Sequence, residues 1–163
     1  IKKVGSSGTL SGKIADLGCG TGRLAIAAAI TGADVVGFEI DENAIEIAKK
    51  YSDKHNLEIK WINEAIETIE DKFDTIIMNP PFGSQRPGAD KIFLEKAIEI
   101  SPNIWTIHLS KTRKFIEKIV DNNNCEIVKL YEFDYPLKNT MSFHTKDTKI
   151  ENAILYHIAS LPK

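Results

Sequence analysis

The chain has 163 residues, 42% of them hydrophobic, enough for the core of one domain but not for a separate recognition domain. A formal charge of -2 excludes binding to nucleic acid by net charge alone, so any such contact rests on local clusters, and the basic excess lies downstream of Asn79. Two cysteines, Cys19 and Cys125, exclude a disulfide framework and a Cys-rich metal site, and no apolar run approaches membrane-spanning length. With no signal peptide in the sequence, a reducing cytoplasmic setting is expected. The first residue is Ile1, and Ile1-Lys2-Lys3-Val4 reads as the end of a helix, so an upstream segment is expected too.

After the turn Gly5-Ser6-Ser7-Gly8, residues 13–17 read as a first strand, followed by Gly18-Cys19-Gly20-Thr21-Gly22 and an apolar helix over 23–30. Residues 33–38 form a second buried strand ending at Glu39, and 41–50 an amphipathic helix with an acid at its amino end. A third strand fits 57–62, then a short acidic helical turn and a fourth strand over 73–78. A loop over 83–89 leads to a helix over 92–100, a strand over 103–109 and a helix over 112–120. Two final strands, 125–133 and 150–158, are joined by a polar loop without a helix, which implies an antiparallel pair. The alternation predicts an α/β domain spanning residues 1–163, with a mostly parallel seven-stranded sheet, a terminal antiparallel strand and helices on both faces.

Chemistry concentrates at the strand ends. Gly18, Gly20 and Gly22 allow a sharp turn and close approach of a ligand between the first strand and its helix. Their spacing departs from the G-x-G-x-x-G of dinucleotide sites, and the acid at Asp16 would repel a phosphate yet accept from an ammonium group or its ordered water. Glu39 lies about 20 residues beyond the glycines, where a carboxylate can bind both ribose hydroxyls. Asn63 or Glu64 is placed to accept from an adenine amino group. After the fourth strand, Pro80 and Pro81 lack amide donors and stiffen the corner Asn79-Pro80-Pro81-Phe82. The Asn79 side chain and the Pro80 carbonyl are two acceptors for one planar NH2 group, and Phe82 offers a face on which a heterocycle stacks. Together these residues point to S-adenosylmethionine beside an amino-group acceptor.

The stretches Ala15-Asp16-Leu17-Gly18-Cys19-Gly20, Gly37-Phe38-Glu39-Ile40-Asp41-Glu42, 73–83 through the Asn-Pro-Pro-Phe corner, and Phe143-His144 resemble one family. It is that of the class I S-adenosylmethionine-dependent methyltransferases with an Asn-Pro-Pro-Phe motif. Within it the chain is most similar to the small-subunit ribosomal RNA adenine-N6 methyltransferases grouped as methyltransferase-like protein five and their archaeal relatives. The resemblance implies a Rossmann-like fold, with Asp16, Gly18, Gly20 and Glu39 on the cofactor and Asn79, Pro80 and Phe82 on the target adenine. It also implies a small zinc-containing activator subunit as a possible partner. Asn63 departs from the family's usual aspartate, and the family's amino-terminal Gln-Tyr-Pro-Thr-like motif has no match in this sequence.

An adenine amino nitrogen is a poor nucleophile, and acceptors that hold its protons would turn its lone pair toward a sulfonium methyl, with no general base. Candidate RNA contacts are Arg86 and Lys91 after Phe82, and Phe143, His144 and the lysines between 138 and 149. The group Lys111, Arg113, Lys114 and Lys118 reads as an ordinary solvated face. His55, His108 and His157 lack ligand spacing, and Cys19 between two glycines reads as packing. A protein glutamine amide or a DNA adenine would also present an NH2 group to this corner, and a non-catalytic subunit could keep the fold. A dehydrogenase is disfavoured by the glycine spacing.

Overall fold

The computed structural model describes residues 10, 12–81, 88–137 and 149–162. Its strands are β1 (Lys13–Leu17), β2 (Asp34–Glu39), β3 (Ile59–Asn63), β4 (Thr75–Met78), β5 (Asn103–Leu109), β6 (Cys125–Leu137) and β7 (Lys149–Ser160). The helices are α1 (Arg23–Ala29), α2 (Glu42–Lys54), α3 (Ala89–Ile100) and α4 (Arg113–Asn122). The seven strands form one sheet in the order β3-β2-β1-β4-β5-β7-β6. The first five pair in parallel; β7 runs antiparallel between β5 and β6.

Successive strand residues point to opposite faces, and the core divides accordingly. Ile14, Val35, Ile77 and Trp105 pack with Ala25 and Ala28 of α1, while Ala15, Leu17, Val36, Phe38, Ile76 and Met78 pack with Phe93, Leu94 and Ala97 of α3 and Ile116 of α4. Asp16 falls on the α1 side by the same alternation. Its neighbours across the sheet are Gly37 and Ile77, so the parallel register carried on by two residues sets Gly18, Glu39, Asn63 and the residue after Met78 in one row at the carboxyl ends.

Several element boundaries differ from the sequence expectation, those of β3 and β4 among them, and the shifts of α2, α3, β6 and β7 have a tertiary reason. Helix α2 starts at the Asp41 cap, whose side chain accepts from the Asn43 amide at 2.9 Å, but runs past residue 50 because Ser52 is buried and receives the Trp61 indole N–H at 3.1 Å. Helix α3 begins at Ala89, earlier than residue 92: Gly88 turns the chain with φ 77°, and the next two residues are buried. Strands β6 and β7 outrun the expected 125–133 and 150–158 because each supplies the other's ladder as far as the Leu137–Lys149 pair.

Trp61 explains one glycine that ligand approach does not. Gly22 caps α1 with φ 80°, and a Cβ there would lie 2.5 Å from the Trp61 ring and 3.0 Å from Ala48. The left-handed backbone alone costs about 1–2 kcal/mol for a side-chain-bearing residue, and overpacking typically about 1–3 kcal/mol more. Gly22→Ala is therefore expected to lower the unfolding free energy by roughly 2–4 kcal/mol, read as a fall in the urea midpoint at constant slope.

Candidate active site

The carboxyl ends of β1, β2 and β4 enclose a cleft of about 310 Å³ lined by Gly18, Glu39, Ile40, Glu64, Asn79, Pro81 and Phe93, among others. A second hollow of about 180 Å³ adjoins it, bounded by Asp16, Gly18, Gly20, Thr21 and Asn79. Gly18 and Asn79 belong to both, so the two spaces meet where the glycine loop faces the β4 corner.

Asp16 is 1% exposed, with Oδ2 accepting from the Ala25 amide at 2.9 Å and Oδ1 buried without a protein partner. Burial pushes its carboxyl up from 3.8 to about 7; the Ala25 amide opposes this, and the negative charge of Glu39 adds to it. A buried acceptor left open costs free energy unless a ligand meets it. A cationic head group placed in the smaller hollow supplies both the hydrogen and the charge that Oδ1 lacks.

Glu39 ties the loop together. Its Oε2 accepts from the Gly20 amide at 2.8 Å and its Oε1 from the Asp41 amide at 3.0 Å, fixing the carboxylate at the cleft wall. Each oxygen keeps a second lone pair, so the carboxylate can still accept from a diol. Gly20 has φ 53° and open space where a Cβ would point. At Gly18 that place is taken by the Phe93 ring at 2.7 Å, and at Gly22 by Trp61. A side chain at either position would collide with a neighbouring element, while the Gly18 backbone still lines both hollows.

Asn63 ends β3 beside Glu39. Its side-chain nitrogen donates to the Glu39 and Ile40 carbonyls, both at 2.9 Å, so it braces the end of β2, and the neighbouring Glu64 lines the cleft. Asn79 stands at the junction. Its Nδ2 donates to the Tyr135 hydroxyl at 3.0 Å, and its Oδ1 is buried with no protein partner. Two carbonyl or carboxylate oxygens, one on each side of the junction, thus await donors. Pro80 is buried behind the corner.

Of the expected substrate contacts, Lys91 is exposed on the first turn of α3 and lies 3.8 Å from Glu95. Phe82, Arg86, Phe143 and His144 lie outside the described residues. Arg113 is engaged by Glu117 at 2.8 Å and Glu132 at 3.4 Å, in keeping with a solvated face. His108 is fully buried, and His157 stacks on Trp105 with ring centroids 4.3 Å apart. Cys19 is buried, which pushes its thiol well up and leaves it protonated.

The sequence reading missed Ile40, Tyr135 and Phe93. Ile40 is 67% exposed yet lines the cleft, offering an apolar face beside Glu39; an isoleucine between two acids just past a strand was the available signal. Tyr135 reaches Asn79 across 56 residues of sequence, a distance that leaves no local pattern.

The profile of the methyltransferase small domain family matches residues 3–105. An uncharacterised protein of Methanocaldococcus jannaschii is 35% identical over 161 residues, which are 91% of this chain and 74% of that one. The rRNA N(6)-adenosine-methyltransferase METTL5 of Danio rerio is 36% identical over 141 residues, 82% of this chain and 68% of its own. A crystal structure from Pyrococcus horikoshii, described as that of a candidate RNA methyltransferase, superposes with a TM-score of 0.91 at 30% identity and covers 99% of this chain and 81% of that one. The chain therefore belongs to the methyltransferase small domain family and is a relative of the METTL5 rRNA N6-adenosine methyltransferases.

Proposed function

We propose that this protein transfers a methyl group from S-adenosylmethionine to the N6 amine of an adenine in RNA, with small-subunit ribosomal RNA as the substrate. One observation carries the reading: Asp16 and Asn79, each with a buried, unpartnered oxygen, line hollows that meet at Gly18. The first suits the cofactor's ammonium group and the second an amine that must give up hydrogen bonds. Family membership and the METTL5 relatives support the same reaction.

The residues fit the cofactor. Asp16 would hold its ammonium group, Gly20 would let its backbone pass, Glu39 would accept from its ribose, and Ile40 and Glu64 would flank its adenine. Bound there, the cofactor supplies an electrophilic methyl on a positively charged sulfur. Asn79 Oδ1 and the Pro80 carbonyl would accept the two hydrogens of the target amine, drawing its lone pair out of conjugation and stabilising positive charge as it develops on nitrogen. Phe82 would stack on the base. A base taken from a loop or single strand reaches this corner most easily, since no duplex stack has to be broken. A small zinc-containing activator and a cytoplasmic setting complete the proposal.

The test is incubation of the protein with radiolabelled cofactor and separate pools of RNA, DNA and protein, with and without the activator. Label recovered as N6-methyladenosine from the RNA pool is the expected outcome. Label confined to protein glutamine or to DNA would replace the substrate, and cofactor binding without transfer to any pool would make this a non-catalytic subunit.

A further inference from the structure

Asparagine presents two different edges. Turned one way its amide offers an acceptor to the cleft, and turned the other way it offers two donors, which an amine cannot use. Catalysis by Asn79 therefore needs the amide fixed in one sense. An asparagine at a turn ordinarily settles this locally, by bonding to a backbone N–H two residues on. Here the next two residues are Pro80 and Pro81, neither of which has an N–H. The stiffness that presents Asn79 thus removes the local means of orienting it.

The partner comes from the far side of the sheet. Tyr135 lies on β6, opposite Glu151 of β7 in the ladder, with the Phe133 ring 6.1 Å away and Pro136 next in sequence restricting its backbone to extended values. Its hydroxyl takes the Asn79 Nδ2 at 3.0 Å, and the amide oxygen is left buried without a protein partner, on a residue that lines both hollows. We infer that Tyr135 is a positioning residue for methyl transfer, fixing the Asn79 amide with its oxygen toward the reacting amine. The inference rests on the functional reading above and deepens it.

Tyr135→Phe in the full chain, assayed on an RNA that the wild type methylates, is expected to lower kcat roughly tenfold, below the 10²–10³-fold typical of deleting a preorganised partner outright. KM for RNA, the cofactor dissociation constant and Tm should stay within twofold or within error of wild type. The same change in an Asn79→Asp background should lower kcat less than twofold further, because the two carboxylate oxygens are equivalent and either orientation offers an acceptor. A kcat for Tyr135→Phe within twofold of wild type overturns the inference, and so does an equal loss in both backgrounds, which marks a merely structural role. Should the wild type methylate no RNA, the functional reading fails while this inference is still decided by the Asn79 side-chain amide resonances. Those must shift and exchange faster in Tyr135→Phe; unchanged resonances sink it.

Discussion

Asn79→Ala is expected to lower methyl transfer by at least 10²-fold while leaving the cofactor dissociation constant within a few-fold of wild type. The substitution deletes the side-chain acceptor and leaves the β4 strand intact, since Ile76, Ile77 and Met78 stay packed on both faces of the sheet. What is lost is an acceptor that matters more in the transition state than in the ground state, because positive charge grows on the amine nitrogen only as the new bond forms. The effect should therefore fall on kcat, with little change in KM for RNA. Single-turnover measurements with saturating cofactor separate the chemical step from release. A variant retaining a third of the wild-type rate would remove Asn79 from the chemistry.

Asp16→Asn is expected to weaken cofactor binding roughly 10- to 100-fold, on the scale of a hydrogen bond to a charged group lost from a buried site. The same change is expected to stabilise the cofactor-free protein. Burial raises the folded carboxyl from 3.8 to about 7, so the folded state resists ionisation. Below about pH 4 Asp16 is protonated in both the folded and unfolded chains, and its stabilising contribution is fully present. As pH rises the unfolded chain ionises first, and the contribution is lost until the folded carboxyl ionises near pH 7. Asparagine carries no charge at any pH. The variant should therefore melt above wild type at pH 8, with the gap closing toward pH 4. Cofactor affinity of the wild type should in turn rise from pH 5 to pH 7, with proton uptake by buffer on binding below that range's upper end. A site that is less stable empty than neutralised has been built for its ligand, a trade of stability for function.

The fold was legible because its determinants are local. Strand β1 and strand β5 fall within the expected bounds, since short apolar runs flanked by Gly, Asp and Asn decide them, and the polar sequence between the last two expected strands announced the antiparallel insertion. Boundaries moved where tertiary contacts took over: Ser52 beneath Trp61 extends α2, and the β6–β7 ladder carries polar residues beyond the expected ends. At the site, Asp16, Gly18, Gly20, Glu39 and Asn79 converge as their order at strand ends implied, because parallel register aligns those ends. That a side chain at Gly18 or Gly22 would collide with Phe93 or Trp61 was not readable, since those rings come from other elements. The brace from the Asn63 amide nitrogen to Glu39 and Ile40 was not readable either, because it depends on carbonyls of the neighbouring strand.

The central claim is that Asp16 and Asn79 bracket one methyl transfer, with a cation held on one side of the Gly18 junction and an amine on the other. A crystal structure with S-adenosylhomocysteine tests it most directly. The account predicts the ligand's ammonium group within hydrogen-bond distance of Asp16 Oδ1, its ribose on Glu39, and its sulfur facing the Asn79 amide oxygen across the junction. A ligand seated elsewhere, or a sulfur walled off from Asn79 by protein atoms, would contradict it.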